Sequence, residues 1–136
     1  AYNQGFKFAV RLNGTSDLPW HRMKIDGGGS LMEIHNDVQF YDYTKVLNYI
    51  DHDLKNYHQT FSDSGRNLAD MKKAIKKGVN VAVVFMNKLP KKWMHKKVIN
   101  GDKHDLRFKD ARGVIVGLVA KGLGRNINNR FIKAAV

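Results

Sequence analysis

The chain has 136 residues, 43% hydrophobic and 26% charged, which fits a single soluble globular domain with a modest core. It has no cysteine, so a disulfide framework and any cysteine-ligated zinc or iron–sulfur centre are excluded within these residues; no apolar stretch approaches the ~20 residues needed to span a bilayer. Twenty-four Lys and Arg against twelve Asp and Glu give a net charge of +12, a field that favours a polyanion such as nucleic acid or an anionic surface.

The first predicted strand runs from about Phe6 to Leu12 and breaks into Asn13-Gly14-Thr15-Ser16-Asp17. A loop with Pro19-Trp20 and Asp26-Gly27-Gly28-Gly29 follows, and Ser30 to Ile34 can form a short helix. A phosphate-cradling role for the three glycines would need a strand immediately before them, and the strand ends well upstream, so a plain turn is expected. The second strand, Val38 to Tyr43, leads into Thr44, which can cap a helix through about Lys55 with Val46, Leu47, Ile50 and Leu54 at helical spacing. Tyr57 to Phe61 is the third strand, ending in Ser62-Asp63-Ser64-Gly65.

Asp63 or Ser64 can cap the next helix, whose apolar stripe of Leu68, Met71 and Ile75 opposes Lys72, Lys73, Lys76 and Lys77, and Gly78 suits its C-terminus. Val79 to Phe85 has the composition of a buried parallel strand. This strand–helix rhythm is the signature of βαβ units. Residues 1–87 therefore read as a βαβ core, 88–112 as a basic loop region, and 113–136 as a last strand, Gly113 to Ala120, with a tail. The expected fold is α/β: about five mostly parallel strands with intervening helices, either part of a (β/α) barrel or an open three-layer sheet.

In such folds ligands bind beyond the carboxyl ends of the strands. Asp17 and Asp42, just past adjacent strands, are the candidate catalytic carboxylates, and Asn13, Thr15, Ser16, Thr44, Lys45, Ser62 and Arg107 are the candidate ligand or phosphate binders. The plainer alternatives are that Asp17 caps the next segment, that Asp42 pairs with Lys45, that the hydroxyls cap helices, and that Asp102, Asp105 and Arg107 neutralise one another. None of the serines sits in a nucleophile elbow, and the six histidines show no zinc-binding spacing, so no metal site is expected. Trp93 among Lys91, Lys92, Lys96 and Lys97 is the best aromatic-in-basic element, suited to backbone contact plus base stacking.

Several phrases resemble an uncharacterised phage-associated family near the gene-product-88-like proteins. They are Val10 to Asp17, Val38 to Lys45, Asn56 to Ser62, Asn80 to Phe85, Ile99 to Asp102 with Asp105 to Phe108, and Gly113 to Leu118 with Ala120-Lys121-Gly122. The resemblance implies that this chain corresponds to the C-terminal half of a longer protein with a cysteine-bearing N-terminal half. It implies no defined activity or cofactor. Two departures from the family pattern stand out: His21 where relatives carry an acidic residue after Pro-Trp, and Ser62-Asp63-Ser64-Gly65-Arg66-Asn67 where a Ser-x-Glu-x-Asn pattern is expected.

Two functional expectations follow. The first is a phage-type protein of the infected or lysogenic host's cytoplasm that acts on or binds nucleic acid or a nucleotide-derived ligand, as in base modification. The alternative is a non-catalytic basic nucleic-acid-binding module, or one half of a split enzyme that binds its cysteine-bearing partner or self-associates.

Overall fold

A computed structural model describes residues 8–120 and 132–133. Phe6 and Lys7 of the predicted first strand and most of the tail from Lys121, including Lys121-Gly122 of the last resemblance phrase, lie outside the described residues. The described strands are β1 (Ala9–Val10), β2 (Gln39–Thr44), β3 (Tyr57–Ser62), β4 (Val81–Phe85), β5 (Lys92–Trp93), β6 (Lys96–Asn100), β7 (Ile115–Val119) and β8 (Ile132–Lys133). Two helices, α1 (Leu31–Ile34) and α2 (Leu68–Lys76), and 3-10 turns at Trp20–Arg22, Leu47–Ile50 and Arg107–Lys109 connect them.

The fold is α/β, with one mostly parallel sheet in the order β1-β2-β3-β4-β7-β6-β5. Only the β5–β6 pair is antiparallel, and β8 pairs in parallel with the end of β4. The two ends of this order do not pair with each other, so the described sheet is open. Both edge strands, β1 and β5, are two residues long, which leaves little unpaired backbone to template another chain.

Strand direction decides which face each connection covers. From β1 through β4 the chain steps one way across the sheet, and right-handed crossovers then place every connection on one face. The side chains pointing to that face are Phe40, Asp42 and Thr44 of β2, Tyr57, Gln59 and Phe61 of β3, and Val81, Val83 and Phe85 of β4, as the register requires. Met71 and Ala74 of α2 pack there with Phe61, Val81, Val83, Phe85 and Ile115, and Met32 of α1 packs with Phe40 and Tyr57. The step from β6 back to β7 runs the other way, so its connection crosses the opposite face. There Phe108 meets Tyr41 with ring centroids 5.3 Å apart.

Several local expectations change. Only a 3-10 turn replaces the helix predicted from Thr44 to Lys55. The Thr44 hydroxyl accepts the Val46 N–H at 3.1 Å, but Val46 itself is extended, and Asp51 and Asp53 would crowd the negative end of a longer helix dipole. Leu47 and Ile50 still reach the core. Helix α2 starts after Asn67 rather than Ser64, because the Asn67 side chain is spent upstream, accepting from Ser64 N and donating to Ser62 O. Its buried face is Met71 and Ala74, and Leu68 is 53% exposed. After the glycine turn the short helix α1 does form, and Ser30 and Glu33 start it with a reciprocal capping box. The basic stretch predicted as a loop contains a hairpin and a sheet strand, β5 and β6.

Gly117 in β7 is required by close packing. A Cβ there would lie 2.7 Å from Val98 Cγ1 and 2.8 Å from Leu89 Cδ2, with the Ile99 carbonyl at 3.3 Å. Gly117→Ala should therefore lower stability by about 1–3 kcal/mol in urea unfolding, through overpacking between β6 and β7. An unchanged midpoint would show that this seam can relax.

Candidate functional site

The carboxyl ends of β1 and β2 bring together most of the residues that sequence analysis selected. The chain leaves β1 through Asn13, which is 3% exposed, and Asp42 on β2 is 1% exposed. Asp42 Oδ1 accepts the Asn13 N–H at 2.7 Å, and its Oδ2 accepts from Tyr57 Oη at 2.8 Å and from Asn13 Nδ2 at 3.3 Å. Asn13 Oδ1 in turn accepts from Ser16 Oγ, Leu18 N and Trp20 Nε1. Asp17 holds the next turn: Oδ1 accepts from Thr44 Oγ1 and Oδ2 from Lys45 N, both at 2.8 Å.

These contacts define what the cluster can do. Every oxygen of Asp17 and Asp42 is already engaged by a donor from the fold. Burial raises the Asp42 carboxyl above its ordinary value, against the pull of the hydrogen bonds from Asn13 and Tyr57. Burial and the adjacent carboxylate push the Tyr57 phenol up, so it remains a donor. The geometry is that of a polar tie joining three chain segments, and no oxygen of Asp42 faces solvent.

The other selected residues scatter. Thr15 and Lys45 are exposed at the rim, and Ser62 ends β3 on the opposite face. Arg107, expected among the phosphate binders, is instead 1% exposed and committed internally. Its Nε lies 3.3 Å from Asp110 Oδ2, and its Nη2 donates to His104 O at 2.6 Å. The expected Asp102–Asp105–Arg107 group does not form, since Asp105 pairs with Arg11 at 3.2 Å.

Sequence reasoning missed a histidine pair behind Tyr57. The His52 ring stacks on Tyr57 at 5.4 Å and 13°, and His21 lies 4.8 Å from His52. His52 Nδ1 accepts the Leu54 N–H, which places the ring proton on Nε2, where it donates to Gln59 Oε1 at 3.0 Å. Both ring nitrogens of His21 are buried without a partner. Burial, with the charges of His52 and Arg22, lowers its pKa from 6.5 to about 4. The only signal for His21 was its position after Pro19-Trp20.

The basic element is a ribbon at the sheet edge. β5 and β6 pair with Lys92 opposite Lys97 and Trp93 opposite Lys96, and Met94 and His95 turn the corner at φ 49° and 64°. Lys91, Lys92 and Lys97 are exposed and Lys96 half-buried. Among the described residues no carboxylate lies within ion-pairing distance of any of these four lysines. Trp93 is half-buried, packed edge-on against Phe85 at 5.9 Å and 81°, so it anchors the ribbon to the core. Among the described residues no cluster of three or more metal-ligating side chains forms, and no helix is long and apolar enough to cross a membrane.

The sequence model of a family described as gene product 88 matches residues 1–135. No curated protein and no solved structure matches the chain.

Two outcomes test the cluster. Asp42→Ala leaves the Tyr57 hydroxyl and the Asn13 N–H without their acceptor and should cost about 2–4 kcal/mol in chemical unfolding. For His21, the unfolded chain takes up a proton below pH 6.5 that the folded ring refuses down to about 4. Wild type should therefore lose stability relative to His21→Leu as pH falls from 6.5 to about 4, with no change in the difference above that window. A pH-independent difference would refute the assignment of a neutral His21.

Proposed function

The chain belongs to the gene product 88 family, a phage-type family, and from the geometry of its basic ribbon we propose that it is a nucleic-acid-binding protein of the infected host's cytoplasm. The observation that carries this reading is the β5–β6 ribbon with Lys92 directly opposite Lys97 and, among the described residues, no carboxylate within ion-pairing distance. Like charges facing each other across a ribbon destabilise it. The non-glycine residues Met94 and His95 at positive φ add strain at its tip. A polyanion on the ribbon relieves the repulsion and releases its own counterions, and this is the dominant source of affinity in non-specific nucleic-acid binding.

The edge position favours the same reading. β5 is the last strand of the sheet, so the lysines project from a rim that a phosphate backbone can follow. The exposed lysines of α2, Lys72, Lys73 and Lys76, add to the same overall field. In this reading Asp17 and Asp42 are positioning residues of the fold. Each oxygen of Asp17 and Asp42 accepts a hydrogen bond from within the fold, which supports the binding form of the idea over base modification.

Fluorescence anisotropy with a short DNA or RNA duplex and single strand tests the proposal. Affinity should fall linearly on a log–log salt plot. Alanine at Lys91, Lys92, Lys96 and Lys97 together should reduce the slope by about 3–4 and weaken binding tenfold or more. Salt-independent binding, or binding unaffected by the quadruple substitution, would sink this reading.

A further inference from the structure

β3 and β4 pair only at Phe61↔Val81 and Ser62↔Ala82, whereas β2 and β3 pair at five positions. The amino-terminal half of β3 therefore runs on without a neighbour on its β4 side. A cavity of about 310 Å³ opens in that gap, at the end of the sheet opposite the Asn13–Asp17 turn. Its size is at the lower end of the roughly 300–1,000 Å³ common for small-molecule sites.

The walls are chemically divided. One side is flat and apolar, built from the stacked rings of His52 and Tyr57 with Leu54 and Val79. Beside these rings lies a polar group that the fold leaves unmatched. Gln59 is 6% exposed, and because its Oε1 receives the His52 proton, its Nε2 is a donor with no acceptor. A buried amide donor is rarely left this way without a missing partner. The Asp110 side chain, also on the lining, is 4% exposed and ion-paired with Arg107 Nε at 3.3 Å. Asn80, by contrast, is fully spent: it donates to Ala111 O and accepts from Gly113 N and Val114 N. At the mouth, Arg112 is exposed, and no carboxylate of the described residues pairs with it.

The geometry points to this cavity as a binding site for a small heteroaromatic ligand with one anionic group, of the nucleoside-monophosphate class. The ring lies against the His52–Tyr57 wall and presents an acceptor to Gln59 Nε2. A nucleobase combines a flat face with such an edge acceptor, which a simple anion or an aliphatic acid does not. Arg112 takes the phosphate through its bidentate fork. Among the described residues it is the single guanidinium or ammonium group on the lining, which favours one phosphate over a di- or triphosphate. Burial lowers the pKa of His58, one of the two histidines there. This site is separate from the lysine ribbon and does not depend on its role.

The test uses the full chain, titrated with the four ribonucleoside 5′-monophosphates, the matching nucleosides and inorganic phosphate. Binding is read by calorimetry and by the imidazole resonances of His52 and His58. At least one monophosphate should bind a single saturable site and move both histidines, with its nucleoside about tenfold weaker. Arg112→Ala, an exposed change that leaves the fold intact, should weaken the monophosphate about tenfold. Gln59→Leu, which keeps the buried volume, should lose selectivity among the bases with its circular dichroism unchanged. Alanine at the four ribbon lysines should change nothing here. Three results would each overturn the proposal: no saturable binding of any monophosphate, inorganic phosphate binding as tightly as the nucleotide, or loss of binding on the ribbon substitutions but not on Arg112→Ala.

Discussion

A carboxylate held at 1% exposure is costly unless its oxygens are matched, and Asp42 imposes that requirement on three segments at once. Its partners are the backbone and side chain of Asn13 and the phenol of Tyr57. Once Tyr57 donates to Asp42, its ring is fixed, and His52 can stack on it. His52 then sets the orientation of Gln59. One buried charge thus orders the left half of the sheet, from the end of β1 to the middle of β3. Removing the carboxylate would leave its former donors facing apolar neighbours rather than water.

The right half rests on topology rather than charge. The chain reverses its direction across the sheet after β6, and the right-handed crossover rule then places residues 101–114 on the face that the helices leave bare. That segment is short of regular structure, so it is held by side chains. Arg107 pairs with Asp110 on the buried face, and Asn80 clamps the turn that enters β7. β3 is left partly unpaired on its β4 side, and the cavity there joins residues 50–59 of the first half to Asp110 and Arg112 of this later segment.

The parallel order was legible because Val79 to Phe85 and Gly113 to Ala120 are apolar runs of strand length, and because β2 and β3 end in clear polar breaks. The capping box at Ser30 and Glu33 went unread although its chemistry is local, because the three glycines before it suggested a turn. The hairpin in the basic stretch was hidden by its lysines, since composition suggested a solvated loop and only register with β7 makes it a strand. The Asn13–Asp17 and Asp42–Lys45 phrases were correctly joined, but their hydrogen bonds point at each other. No sequence pattern distinguishes a carboxylate facing a ligand from one facing its own backbone. Arg107 illustrates the same limit, because its burial is decided by a crossover on the far face of the sheet.

β4 is paired along its whole length with β7, while its other edge is shared by β3 at Val81 and Ala82 and by β8 at Val84 and Phe85. Lys133 of β8 also reaches the buried Asp63, just past β3, at 3.3 Å. The edge of β4 that runs beyond the end of β3 is therefore covered by β8, from a segment distant in sequence. During vectorial synthesis the βαβ units can dock in order, but the centre of the sheet keeps an open seam until Ile132 and Lys133 emerge. Pairing β8 with β4 is a long-range loop closure, which costs more chain entropy than docking a helix beside its own strand. Folding intermediates of this chain would expose the carboxyl half of β4, its most apolar strand, which makes that strand the segment most in need of protection before synthesis is complete.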